Sequence, residues 1–393
     1  MAVKIVRQPN KIALLGSPTS AAAMSSGHEG APAALRAAGL VGRLQSIGYE
    51  ITDLGDDPPQ VFKPDNESPR ARNISGVLAA LESLKPRVEQ AVKSAALPLI
   101  LTGDCSAVLA TVAGLRRYFR HVSLIYMDRD ADLNTPATTA SGCLDGMVIS
   151  HMTGRGAAEL VRFWGEPPLV REPDIALFGM DRIDPSEEEV LRSSPLRRYL
   201  ADEVKRMGPA AAAQAAFDRI RGKGYECVLH FDVDVIADFQ ATDYPGTGGL
   251  SLAEVREALE VFACQEHLAA IEVAAYNPLK DSDGSGAALI VDLLAGVLGK
   301  RLEALQAKVP AEPATVSVSA KGVPVAPDLS EKAAVPGQVE MPPQPSSESE
   351  PSSVAAGDAW SSDKMDAASA SESADPEQRE EQSANPGDTG DPA

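Results

Sequence analysis

Three short stretches of this chain concentrate side chains able to do chemistry. One reads Asp128-Arg129-Asp130-Ala131-Asp132, a second Asp232-Val233-Asp234, and a third Thr102-Gly103-Asp104-Cys105-Ser106. Each follows directly on an apolar run, so each sits where a β-strand would end. Side chains alternate along an extended chain, which aims Asp128, Asp130 and Asp132 to one side and pairs Asp232 with Asp234 in the same way. Five carboxylates brought to one edge repel one another unless a cation joins them. Hard divalent ions take oxygen ligands, and two ions can share a bridging carboxylate. A single Asp-x-Asp is most often a polar strand end or a helix cap. The triple motif, with a second one in the same sheet, points instead to metal.

The elements that must position these groups are legible as a pattern. Short β-branched or aliphatic runs occur at 12–15, 99–101, 122–127, 175–178, 227–233 and 269–273. Between them lie stretches with helical spacing at 31–44, 77–95, 107–117, 252–264 and 287–305. Asn73 or Ser75 is placed to cap the second helix, and Ser251 with Glu254 forms a capping box for the fourth. Strands alternating with helices predict an α/β fold, a three-layer αβα sandwich with a mostly parallel central sheet. In such sheets ligands bind at the carboxyl ends of the strands, where the Asp motifs fall.

The chain has 393 residues, with 36 Lys+Arg against 56 Asp+Glu and a net charge of −20. That balance argues against a nucleic-acid partner or an anionic membrane surface, since both require a basic patch. Four cysteines without a C-x-x-C pair fit a reducing compartment rather than a disulfide or zinc-ribbon framework. No run of apolar residues is long enough to span a bilayer and no signal peptide is read at the start, so a cytoplasmic protein is expected. Residues 309–393 differ in character, holding 12 Pro, 5 Gly and 14 Ser with 16 acidic and 4 basic side chains. They read as a disordered acidic Pro/Ser/Ala-rich tail, because so little apolar surface cannot offset chain entropy. Residues 1–308 then form one domain. No internal repeat is visible.

The motifs resemble those of the ureohydrolase family, which includes arginase, agmatinase and formiminoglutamase. The family carries G-G-D-H-S, D-A-H-x-D-x-N-T-P and S-F-D-x-D, followed by a Gly-rich G-G-L-[ST]. This chain has Thr102-Gly103-Asp104-Cys105-Ser106, then Asp128-Arg129-Asp130-Ala131-Asp132-Leu133-Asn134-Thr135-Pro136, His230-Phe231-Asp232-Val233-Asp234 and Gly248-Gly249-Leu250-Ser251. Gly30-Ala31-Pro32-Ala33-Ala34-Leu35-Arg36 is similar to the family's G-P-x-x-L-R. Thr138 to Gly146 resembles arginase's T-T-x-S-G-N-L-H-G, with Cys143 in place of the Asn. The resemblance implies hydrolysis of a C–N bond in a small guanidino or amidine substrate by a metal-held hydroxide. It also implies two divalent ions, manganese in the family, and a homotrimer or homohexamer. Carried over position by position, the metal ligands are Cys105, Asp128, Asp130, Asp132, Asp232 and Asp234. Asn134, Ser141 and Asp184 bind the substrate's polar end, Glu272 holds its guanidinium, and Asp145 moves protons.

Three substitutions set this chain apart. The family histidines are replaced by Cys105, Asp130 and Asp145. Five carboxylates and a thiolate total −6, where the family's four carboxylates and two imidazoles total −4 and balance two divalent ions. Excess anionic charge weakens the pull of the ions on water. A thiolate favours zinc or ferrous iron over manganese. An aspartate reaches less far than an imidazole, so Asp130 is expected to bind through a water or not at all. Asp145 can act as a base, or as an acid where its surroundings keep it protonated. His230 shares a face with Asp232, but a strand histidine more often packs and satisfies itself by hydrogen bonding, and that reading is adopted. Two alternatives to an arginase-like hydrolase stand beside it. One is an inactive relative acting in binding or regulation, and the other is an amidine or amide hydrolase using one zinc or iron.

Overall fold

The computed structural model describes residues 5–220 and 225–308, so the stretch read as a tail, 309–393, lies outside the described residues. Eight strands form one sheet: β1 (Lys11–Ser17), β2 (Glu50–Asp56), β3 (Leu97–Thr102), β4 (Val122–Met127), β5 (Ile175–Met180), β6 (Arg197–Leu200), β7 (Glu226–Asp232) and β8 (Leu268–Ala274). Their order is β2-β1-β3-β8-β7-β4-β5-β6, and every registered pair is parallel. The central strands β3, β4, β5 and β8 are buried at every position. A parallel strand covered on both faces reads as a continuous apolar run, which is why these four stand out in the sequence. The edge strands β2 and β6 are partly exposed and polar, and the sequence pattern passes over both.

Eleven α-helices complete the described residues: α1 (Ala31–Ala37), α2 (Leu40–Ser46), α3 (Ile74–Lys93), α4 (Val108–Arg116), α5 (Val148–Thr153), α6 (Ala158–Arg162), α7 (Pro185–Ser193), α8 (Ala201–Met207), α9 (Pro209–Ile220), α10 (Leu252–Ala263) and α11 (Ser285–Gln306). α3 and α4 cover one face of the sheet, while α1, α2, α11, α10 and α9 run across the other, giving the three layers. The single helix expected over 31–44 is two, because Gly39 takes a left-handed φ of 88° between them. Ser251 and Glu254 do form the capping box of α10. Asn73 precedes α3 but donates its amide to the Lys63 carbonyl instead of capping. None of the described helices is long and apolar enough to cross a membrane.

The strand order places the chemistry. The chain leaves β3 on one side of β8 and β7 and re-enters as β4 on the other, so the ends of β3, β7 and β4 gather at one point of the carboxyl edge. Gly103 anchors the β3 exit. A Cβ there would lie 1.8 Å from the Thr19 carbonyl oxygen and 2.7 Å from that of His28. Both are backbone atoms that a rotamer change cannot move. Gly103→Ala is therefore expected to destabilise the chain by about 1–3 kcal/mol, read as a lower midpoint in urea unfolding at unchanged m-value. An unshifted midpoint would show that the β3 exit is not packed against these loops.

Candidate metal centre

Cys105, Asp128, Asp130, Asp132, Asp145, Asp232 and Asp234 all line one cavity of about 540 Å³ at the carboxyl edge. Asp128 follows β4 and Asp232 ends β7, and each turns one carboxylate oxygen back to accept a backbone N–H two residues on, from Asp130 and Asp234, at 2.7 Å. That leaves the second oxygen of each for another partner. Cys105 Sγ donates to Asp232 at 3.0 Å, and the Cys105 N–H donates to Asp145 at 2.7 Å. The chain after β4 is not extended as simple alternation requires. Asp132 has a left-handed φ of 48°, and this turn, together with a hydrogen bond from the Tyr126 hydroxyl, brings its carboxylate to the cavity.

Two groupings stand out within the ring. One ligand atom each from Cys105, Asp128, His230 and Asp232 lies within 4.8 Å of the others, and so does one each from Asp128, Asp130 and Asp234. The first grouping corrects the reading of His230 as a self-satisfied core residue. His230 is fully buried and stacks on Tyr126 at 4.4 Å between ring centroids, 5° from parallel. Its Nδ1 lies 3.0 Å from Glu272 Oε1, whereas its Nε2 has no hydrogen-bond partner. Strand register explains the row, since Tyr126 pairs with His230 and His230 with Glu272, so all three point to the face covered by α4.

Glu272 is a second correction. It is fully buried, does not line the cavity, and bonds Thr111 of α4 at 2.6 Å besides His230. Both of its oxygens are engaged under the floor, so it does not present a carboxylate to a substrate guanidinium.

The second grouping already holds a cation. The Arg182 guanidinium donates from Nε to Asp130 at 2.8 Å, and its Nη2 reaches both Asp130 and Asp234. Its Nη1 bonds the Tyr244 carbonyl at 3.1 Å, and the guanidinium lies over the Tyr244 ring. Arg182 follows β5, the strand beside β4, and forms a backbone bridge with Asp130. Asp130 is thus held by arginine in the structure, as a salt-bridge partner. Arg129, by contrast, pairs with Asp181 and stays out of the ring, as alternation predicts.

The expected substrate-binding residues also meet at this cavity. Asn134, Ser141 and Asp184 line its rim, with Asn134 Nδ2 donating to Asp184 at 2.9 Å. Asp184 also begins α7 in a capping box with Glu187. Sequence reading missed Arg182 and His28. The only signal for Arg182 was a cation following a strand, and the adjacency of β4 and β5 is not written locally. His28 is fully buried, with Nε2 3.2 Å from Asp243 and Nδ1 3.2 Å from the Gly103 carbonyl. It is close enough to draw the Asp145 pKa down.

Protonation follows from burial and crowding. Burial first, then neighbouring carboxylates, raises Asp128, Asp132 and Asp232 well above the usual range. Burial and Asp234 push Asp130 up to about 7 against the pull of Arg182. Burial and Asp104 bring Asp145 to about 7. Burial, then Asp145 and Asp232, keeps the Cys105 thiol protonated. Burial opposes the charge on Arg182, but Asp234 and Asp130 outweigh it and raise its pKa.

The structure is a parallel α/β sheet with a ring of acids at its carboxyl edge, and comparison with known proteins shows the class it belongs to. The family model described as "Arginase family" matches residues 10–299. Arginase from Bacillus caldovelox is 28% identical over 295 residues, covering 74% of this chain and 99% of that protein. Arginase from Bacillus subtilis (strain 168) is 28% identical over 74% of this chain and 98% of its own length. The solved Bacillus caldovelox structure superposes with a TM-score of 0.68 at 28% identity, over 74% of this chain and 98% of that one. Formimidoylglutamase from Bacillus subtilis shares the fold at 19% identity, with a TM-score of 0.59 over 74% and 87%. The chain belongs to the arginase family.

Crowded carboxyls make stability depend on pH in a defined direction. For Asp130 and Asp145 the folded pKa, about 7, lies above the ordinary 3.8, so the folded state holds the extra protons between these values. Their contribution is complete at low pH and is lost as pH rises through about 7. In chelator-treated protein, the denaturant midpoint is expected to fall from about pH 4 to about pH 7, and added divalent ion should flatten that fall. Asp145→Asn should reduce the slope. A midpoint that rises across this window would contradict the crowding.

Proposed function

We propose that the chain is a metal-dependent hydrolase of a C–N bond in a small guanidino or amidine compound. The observation that carries this reading is the convergence of Cys105, Asp128, Asp232 and a His230 nitrogen within 4.8 Å beneath an acid-lined cavity. Sulfur, nitrogen and two oxygens form a donor set suited to zinc or ferrous iron, and the partnerless His230 Nε2 fits the same need. A divalent ion bound there would supply Lewis-acid polarisation and lower the pKa of water.

The chain's own residues perform the remaining tasks. The acidic walls draw in a cation. Asp234 Oδ1 is buried and without a hydrogen-bond partner, and it is the acceptor open to a substrate N–H. Asn134, Ser141 and Asp184 at the rim orient the substrate's polar end. Asp145, near 7, accepts a proton on one step and returns it on the next, with the Cys105 N–H fixing its orientation.

One observation favours a second reading, an inactive relative acting in binding. The Arg182 guanidinium occupies the Asp130–Asp234 grouping with the same chemical group a guanidino substrate would bring.

The discriminating experiment is a urea- and ammonia-release screen on arginine, agmatine and other guanidino or amidine compounds, with Mn, Zn, Fe, Co or Ni added. Turnover with at least one pair is expected. Asp145→Asn should then lower kcat by about 10²–10⁴-fold with KM little changed. No turnover with any ion would sink the hydrolase reading. If Cys105→His, Asp130→His and Asp145→His together then gave turnover, the binding reading would stand, with only the catalytic groups lost.

A further inference from the structure

We infer that this chain holds one divalent ion rather than two, with His230 Nε2 as its nitrogen ligand, and that the Arg182 guanidinium takes the place of the second ion. The inference deepens the hydrolase reading and rests on its premise that a divalent ion binds at the sheet edge. It does not require turnover.

Two independent sets of contacts support it. The first is the arm that carries His230. A histidine that ligates metal through one nitrogen almost always gives its other N–H to a carboxylate or carbonyl, which fixes the tautomer and strengthens the donor. Here Nδ1 faces Glu272 Oε1 at 3.0 Å, and Thr111 fixes the other Glu272 oxygen at 2.6 Å. Tyr126 stacking sets the ring plane. The arm leaves Nε2 buried, unpartnered and on the ring of the histidine that closes a four-donor grouping. The carboxylate that simple carry-over assigns to the substrate thus acts here as a positioning residue for a ligand.

The second set lies on the other side of Asp128. A second ion would take oxygens from Asp130 and Asp234, but Arg182 grips Asp130 through two nitrogens and reaches Asp234 with one of them. A guanidinium is always protonated, and its planar fork matches carboxylate geometry. The backbone bridge between Asp130 and Arg182 and the Tyr244 contacts hold it in place. A fixed positive charge there satisfies the carboxylates that would otherwise recruit metal, and a divalent ion beside it would meet like-charge repulsion.

The test is metal stoichiometry on the full chain. Purified protein is titrated with Co(II), and metal content is measured after dialysis against Zn, Fe or Mn. Saturation at one ion per chain is expected, with a thiolate charge-transfer band that Cys105→Ser removes. Zn and Co should bind ahead of Mn. His230→Ala should weaken Co(II) at least 100-fold. Glu272→Gln should weaken it by about 10–100-fold while keeping the band, as loss of an outer partner does. Arg182→Gln should raise Mn stoichiometry to two. Because Arg182 sits at the partly exposed rim, this variant reports even if His230→Ala fails to fold. Two ions in the unaltered chain, unchanged Co(II) affinity in a folded His230→Ala, or one ion in Arg182→Gln under saturating Mn would overturn the inference. One ion without turnover leaves it standing and sinks the hydrolase reading. Turnover with two ions does the reverse, and no ion at all sinks both.

Discussion

The structure is organised around a concentration of like charge. The ends of three central strands, β3, β7 and β4, bring Cys105 and the acids to one largely buried edge, where water screens them little. Each carboxylate there must share a proton, accept a hydrogen bond or face a cation. The contacts show the last two. Asp128 and Asp232 each accept a backbone N–H, Cys105 and Tyr126 donate to Asp232 and Asp132, and Arg182 bridges Asp130 and Asp234. The family's two histidine ligands would leave less negative charge to neutralise. With Cys105 and Asp130 in the ring instead, the compensation that the structure shows comes from the chain's own donors, the Cys105 thiol and the Arg182 guanidinium.

That compensation comes from elements remote in sequence. Arg182 reaches the ring only because β5 lies beside β4. His230 and Glu272 meet only because β7 and β8 pair in one register, and a slip of one residue would turn both side chains to the opposite face. The α4 helix closes the arm through Thr111. The centre is therefore a property of the sheet more than of any motif, and the motifs mark only the half of it that lies at strand ends.

The sequence made some parts of this legible and concealed others for physical reasons. The buried parallel strands announce themselves as apolar runs, and the acids after them as repeated Asp-x-Asp. The edge strands β2 and β6 carry polar sequences because one side of each meets solvent, so no pattern betrays them. The apolar spacing over 31–44 is that of one helix, yet Gly39 divides it through a backbone angle that spacing does not encode. Carry-over by position gives Glu272 to the substrate because a motif match carries no information on burial, and the structure places it under the floor, bonded to His230 and Thr111. His230 answers in part to a core histidine, since one nitrogen is satisfied as such a residue's would be and the other is not.

By itself, then, the sequence determined the layered α/β architecture, the edge where chemistry gathers and most of the acids that line it, because hydrophobic period and strand-end composition are local properties. The tertiary structure alone decided which charges face each other, that an arginine stands among the carboxylates, and that a glutamate serves a histidine. Those facts depend on strand order and register, which arise from the packing of the whole sheet and are written in no single segment.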